Sequence, residues 1–199
     1  MYSVEVIVPE TIVLFHSALG LRPAVRRFAD QLRSAGHSVY TPDFFDGDVF
    51  NDLNDGVARR DAIGIPALIG RAQKSVADLP KQVVYAGFSM GSASAQYLAA
   101  TRPGARGAIL MHGAIPLAMM GVAKWPSVPV QIHYAVGDPW VEAAQVKALS
   151  EAVLDAGQSC AVHSYPGSGH LFADEDANDY DQASAALMLD RVLRFLGNL

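Results

Sequence analysis

The chain predicts a three-layer α/β/α sandwich on a mostly parallel sheet. Two observations carry that prediction. Apolar runs of strand length alternate with amphipathic helical patterns, and several of those runs have no polar face. A strand apolar on both sides must be covered on both sides, as in a parallel sheet with helices above and below it. At 199 residues, 51% hydrophobic and 18% charged, the chain has material for one well-filled core, and a single domain spanning 1–199 is expected.

In order, strand runs fall at 11–16, 37–40, 83–86, 108–111, 128–135 and 160–165. Between the first two, 22–35 places Val25, Phe28, Ala29 and Leu32 on one helical face, with Pro23 near the first turn and Gly36 at the end. After the third run, 92–100 is small and helix-competent. The last helix, 181–196, repeats the apolar stripe through Leu189, Val192, Leu193 and Leu196. The least regular stretches are 42–56, rich in Asp and Phe, and 115–129, with Pro116, Pro126 and Pro129 beside Met119, Met120 and Trp125. Loops at the carboxyl ends of parallel strands line sites, so these two are candidate pocket walls. No helical insertion has the size of a lid domain, which favours an open cleft and a compact substrate.

The formal charge of −5, without a Lys/Arg cluster, argues against a nucleic-acid partner. Residues 1–9 lack a charged region followed by an apolar one, and no apolar stretch is long enough to span a membrane, so a cytoplasmic location is expected. The lone Cys160 has no internal disulfide partner and reads as a small core residue.

Chemistry enters at Gly87-Phe88-Ser89-Met90-Gly91, a G-x-S-x-G pentapeptide directly after the run 83–86. A strand that turns sharply into a helix strains its turn residue, and flanking glycines remove the side chains that would collide. Ser89 is thereby presented at the strand tip as a nucleophile, and the Met90 N–H lies at a helix start, favourable to negative charge. A serine hydroxyl needs a base, and the base needs an acid to fix its tautomer. Asp138, in Val136-Gly137-Asp138-Pro139-Trp140 after the fifth strand, is the acid, although an Asp in such a turn also caps backbone N–H groups. His170, in Tyr165-Pro166-Gly167-Ser168-Gly169-His170-Leu171-Phe172 after the sixth, is the base. The order Ser89, Asp138, His170, each at a separate strand end, is that of the α/β-hydrolases.

An oxyanion hole needs two donors. Met90 supplies one, and the turn His16-Ser17-Ala18-Leu19-Gly20 after the first strand supplies the other, with Ala18 as the candidate and Leu19 next. Candidate pocket residues are His16, Ser17, Leu19, Phe44, His112 and Trp140. His16 and Ser17 either touch substrate or satisfy local backbone groups, and His112 is either a wall or core histidine or a second base.

Taken together, Phe15 to Arg22, Thr41 to Gly47, the pentapeptide, Gly137-Asp138-Pro139 and Tyr165 to Phe172 resemble the dienelactone hydrolase family over nearly the whole chain. The resemblance implies an α/β-hydrolase fold without a lid domain, Ser89, Asp138 and His170 as nucleophile, acid and base, and no metal or organic cofactor. Three features depart from the enzyme that names the family: Ser89 replaces its cysteine nucleophile, Ser17 a glutamate in the first turn, and the acids Asp174, Glu175 and Asp176 follow the histidine where an arginine helps hold a substrate carboxylate. Those acids would repel an anionic dienelactone, so a neutral or cationic ester is expected. Arg59 and Arg60 could compensate, but read better as surface helix charges. The expected function is hydrolysis of a small ester or lactone. The alternatives are a thioesterase, or a non-catalytic protein binding a ligand or partner on the same scaffold. Oligomeric state stays open.

Overall fold

The structure, a computed structural model, describes residues 8–199. Most of the stretch 1–9 considered in the sequence lies outside the described residues. Six strands form one sheet: β1 (Thr11–Phe15), β2 (Ser38–Tyr40), β3 (Val84–Phe88), β4 (Gly107–Met111), β5 (Val130–Ala135) and β6 (Cys160–Tyr165). Their order is β2-β1-β3-β4-β5-β6, and every pairing is parallel. All six carboxyl ends therefore open on one edge, where Ser89, Asp138 and His170 follow β3, β5 and β6.

Alternation along the strands explains the layers. Val13 and Phe15 of β1, Tyr85 of β3 and Leu110 of β4 join a cluster with Leu68, Ala72, Leu98, Leu149 and Val153. Those last residues belong to α3 (Ile65–Ser75), α4 (Met90–Thr101) and α5 (Ala143–Asp155). Ile12, Leu14, Ala86 and Met111 point the other way, onto Val25, Phe28 and Leu32 of α1 (Pro23–Ser34) and Met188, Val192 and Leu196 of α6 (Gln182–Gly197). Each central strand feeds two cores, hence its lack of a polar face.

Neither α2 (Leu53–Ile63) nor α3 was placed by periodicity, although α3 buries Leu68 and Ala72 four residues apart and Arg59 and Arg60 were read as helix charges. α2 buries only Gly56, so its sequence carries no apolar stripe; Asp52 starts it by accepting from the Asn54 and Asp55 N–H groups. Cys160 is half-buried at the edge strand, and burial pushes its thiol pKa up, so it is a poor thiolate. Among the described residues no helix is long and apolar enough to cross a membrane.

Candidate active site

At the end of β3 the backbone of Ser89 takes φ 51° and ψ −112°. This is a sparsely populated conformation for a residue with a side chain, costing about 1–3 kcal/mol. Three contacts hold it there. The Ser89 N–H donates to the Met111 carbonyl at 2.7 Å. A Cβ on Gly87 would lie 2.1 Å from the Gly91 oxygen, and one on Gly91 would lie 2.4 Å from the Phe15 oxygen. Strand and helix therefore approach backbone to backbone, and Ser89 is left partly exposed at the tip.

The structure brings the three predicted side chains into one relay. Ser89 Oγ lies 2.7 Å from His170 Nε2, and His170 Nδ1 lies 2.7 Å from Asp138 Oδ2. With Nδ1–H donating to the carboxylate, Nε2 is free to accept the serine proton. His170 and Asp138 are each only 6% exposed. Asp138 also makes the turn cap read from the sequence, because its second oxygen accepts the Trp140 N–H at 2.8 Å. The loops carrying acid and base are tied together by Gly137 N–H donating to the Gly167 carbonyl at 2.9 Å.

The first turn distinguishes its two candidate donors. The Leu19 N–H is spent on Ser17 Oγ at 3.1 Å, whereas the Ala18 N–H has no acceptor among the described residues. Met90 opens α4, where first-turn N–H groups have no intrahelical acceptor.

Five of the six candidate pocket residues are buried. Phe44 is 1% exposed and stacks on Phe15 at 5.2 Å. His16, fully buried, donates from Nδ1 to the Ser17 carbonyl at 2.7 Å and accepts the Phe44 N–H on Nε2 at 2.9 Å. Ser17 and Leu19 are buried within the turn itself. His112 sits at φ 63°, 1% exposed, stacked on Phe88 and edge-on to Phe172 at 4.6 Å. Both its ring nitrogens lack a partner among the described residues, and burial holds its pKa well below the ordinary histidine value, with His170 pushing the same way. It is a neutral wedge behind the His170 ring. Only Trp140 stands at the rim, 49% exposed, its ring 5.9 Å from that of His170.

The two loops expected as walls part company. Loop 42–56 is a buttress: Phe44 and Phe45 enter the core, Phe50 N–H donates to the Leu19 carbonyl at 3.0 Å, and Gly56 packs against the Ala18 oxygen. In 115–129, Trp125 is buried with its indole N–H on the Val128 carbonyl, while Met119 is 66% exposed.

The sequence profile of the dienelactone hydrolase family matches residues 5–199. The chain belongs to the dienelactone hydrolase family. Among curated protein sequences there is no match to it. Its fold is shared with a dienelactone hydrolase-like promiscuous phosphotriesterase from metagenomic libraries, at 23% identity and a TM-score of 0.83, over 96% of this chain and 87% of that one. It is shared too with a propionate-bound thermophilic esterase of Thermogutta terrifontis, at 18% identity and a TM-score of 0.66, over 96% and 83%. The same esterase phosphonylated by cyclosarin matches at a TM-score of 0.63 over 98% and 84%. This dienelactone hydrolase-family protein is thus a hydrolase by family, with the α/β-hydrolase fold.

One argument from its departures changes. Asp174, Glu175 and Asp176 do not face a substrate. Glu175 and Asp176 accept from Arg27 at 2.6 and 2.7 Å, and Asp174 is buried beside Arg22. Arg59 and Arg60 are paired with Asp48 and Asp61. Sequence reading missed the contact of Arg22 and Arg27 with this acidic loop, since the charges were visible but their partners lay about 150 residues away.

Proposed function

We propose that the protein is a serine hydrolase that cleaves a small, neutral carboxylic ester or lactone through an acyl-enzyme. The observation that carries this reading is the Ser89–His170–Asp138 relay, with both links at 2.7 Å. Ser89 Oγ attacks the carbonyl carbon as its proton passes to His170 Nε2. Asp138 holds the imidazolium, and the Ala18 and Met90 amides receive the oxyanion. Collapse breaks the bond to the leaving oxygen, which takes the proton from His170. Water repeats the sequence against the acyl-enzyme and frees Ser89. A neutral substrate is favoured by the arginines, since Arg22, Arg27, Arg59 and Arg60 all lie beside acids of the protein.

A nucleophile poised for a tetrahedral intermediate also reacts at tetrahedral phosphorus, as the phosphonylated relative illustrates. The test is a fluorophosphonate followed by intact mass, with turnover of a short nitrophenyl ester in parallel. Wild type takes one adduct and turns over the ester. Ser89→Ala takes none, and its kcat falls by roughly 10⁴-fold or more. A folded wild type with neither adduct nor turnover would sink the proposal.

A further inference from the structure

The oxyanion turn and the base loop meet at one buried arginine. Arg22 is 4% exposed and caps α1 just past the turn, its N–H on the Gly20 carbonyl at 2.8 Å. Its side chain crosses to the loop that follows His170. There Nη2 donates to the Asp176 carbonyl at 2.5 Å, and Nη1 stands 3.7 Å from Asp174 Oδ2 without a hydrogen-bond partner among the described residues. Asp174 is itself 6% exposed, and its N–H donates to the carbonyl of Leu171, the residue next to His170. Its other oxygen accepts the Asp176 N–H at 3.0 Å, while the Asp176 carboxylate accepts the Ala24 N–H at the start of α1, also at 3.0 Å. A small cavity whose walls include Ser17, Leu171 and Asp174 lies at the same junction.

A buried ion pair held at 3.7 Å, with one guanidinium nitrogen unpaired, is a poor source of stability, because desolvation offsets much of the attraction. What this pair does supply is position. We infer that Arg22 is a positioning residue: by engaging Asp174 and Asp176 it sets the separation between the Ala18 donor and the His170 ring. The inference rests on the reading of Ser89, Asp138 and His170 as a triad. Arg22 touches no substrate. It acts through the two loops that carry the donor and the base.

The experiment compares wild type with Arg22→Met, Arg22→Lys and the double variant Arg22→Met/Asp174→Leu. Four readouts are taken: the low-field proton resonance of the His170–Asp138 hydrogen bond, amide exchange over 171–181, ester kcat and KM, and melting temperature. In Arg22→Met we expect the resonance to broaden or shift and exchange over 171–181 to rise about tenfold. We expect kcat to fall by about 10²-fold with KM nearly unchanged, the cost of an ångström-scale misplacement. Arg22→Lys, which keeps one charged donor, regains part of both signals, and its resonance and exchange decide the matter if the Met variant does not fold. The double variant regains stability without regaining kcat. Wild-type resonance and exchange in Arg22→Met would overturn the proposal, as would kcat recovering together with stability in the double variant. A wild type that labels with no fluorophosphonate sinks the hydrolase reading instead, and resonance and exchange then still judge Arg22.

Discussion

Ser89 and His170, the proposed nucleophile and base, are held by different physics. Ser89 is fixed by backbone packed on backbone, with Gly91 allowing α4 to touch the Phe15 and His16 carbonyls at the end of β1. His170 sits on a loop held by charge and hydrogen bonds: Leu171 N–H on Asp179, Arg22 on the Asp176 carbonyl, and Arg27 on Glu175 and Asp176. The first arrangement tolerates no added atom. The second is a set of replaceable contacts, each of modest strength. Strain is thus stored where packing is dense enough to hold it, and adjustment is left to the side chain proposed to move a proton.

The strongest way to break the contrast is Gly91→Ala. A Cβ there would lie 2.4 Å from the Phe15 oxygen and 2.6 Å from that of His16, so helix or strand must move. The expected loss is about 3 kcal/mol or more, since buried backbone cannot relax as a side chain can. The melting temperature should fall by roughly 10 °C. A variant that melts like wild type and keeps its ester activity would show that the elbow is not the rigid partner.

This contrast also explains what could be read in advance. The elbow is local, because the glycines that permit it are within two residues of Ser89, and Asp138 and His170 announce themselves at strand tips. Phe44 could not be placed, since an aromatic after a strand looks alike whether it lines a pocket or enters the core. It enters the core here because His16, rather than solvent, accepts its N–H. Arg22 was invisible for a different reason. Between Leu21 and Pro23 it reads as a helix start, and only folding brings it to Asp174 and Asp176.

His112 lies on the seam between the two regions, against Phe88 on one side and Phe172 on the other, and pH tests it. Burial lowers its pKa, and that of His133 likewise, with His163, His112 and Arg191 adding to the shift at His133. A depressed histidine contributes stability that is present above the unfolded value of about 6.5 and lost as pH falls through the folded value, because the unfolded chain then binds the extra proton. Each such group can add up to about 1.4 kcal/mol per pH unit to the acid limb. His112→Phe keeps the stack on Phe88 and removes two unpartnered nitrogens. It should therefore be at least as stable as wild type at pH 7.5 and lose less on going to pH 5, measured by urea midpoints. An unchanged acid slope would mean that His112 is not the neutral wedge described.

The smallest expected effect sharpens the other half of the comparison. Arg27 holds Glu175 and Asp176 from a side chain 43% exposed, with partners 41% and 33% exposed. Pairs this wet contribute less than about 1 kcal/mol each, and salt screens them. Arg27→Ala should therefore shift the melting temperature by only a few degrees and leave ester kcat within about threefold. Amide exchange over 171–181 should rise in the variant, and wild type should approach it as salt is added. The buried contacts of Arg22 should resist the same salt. If salt loosened the loop to the same extent in wild type and Arg27→Ala, screening would be acting on another contact, and the outer pair could not be what docks the base loop onto α1.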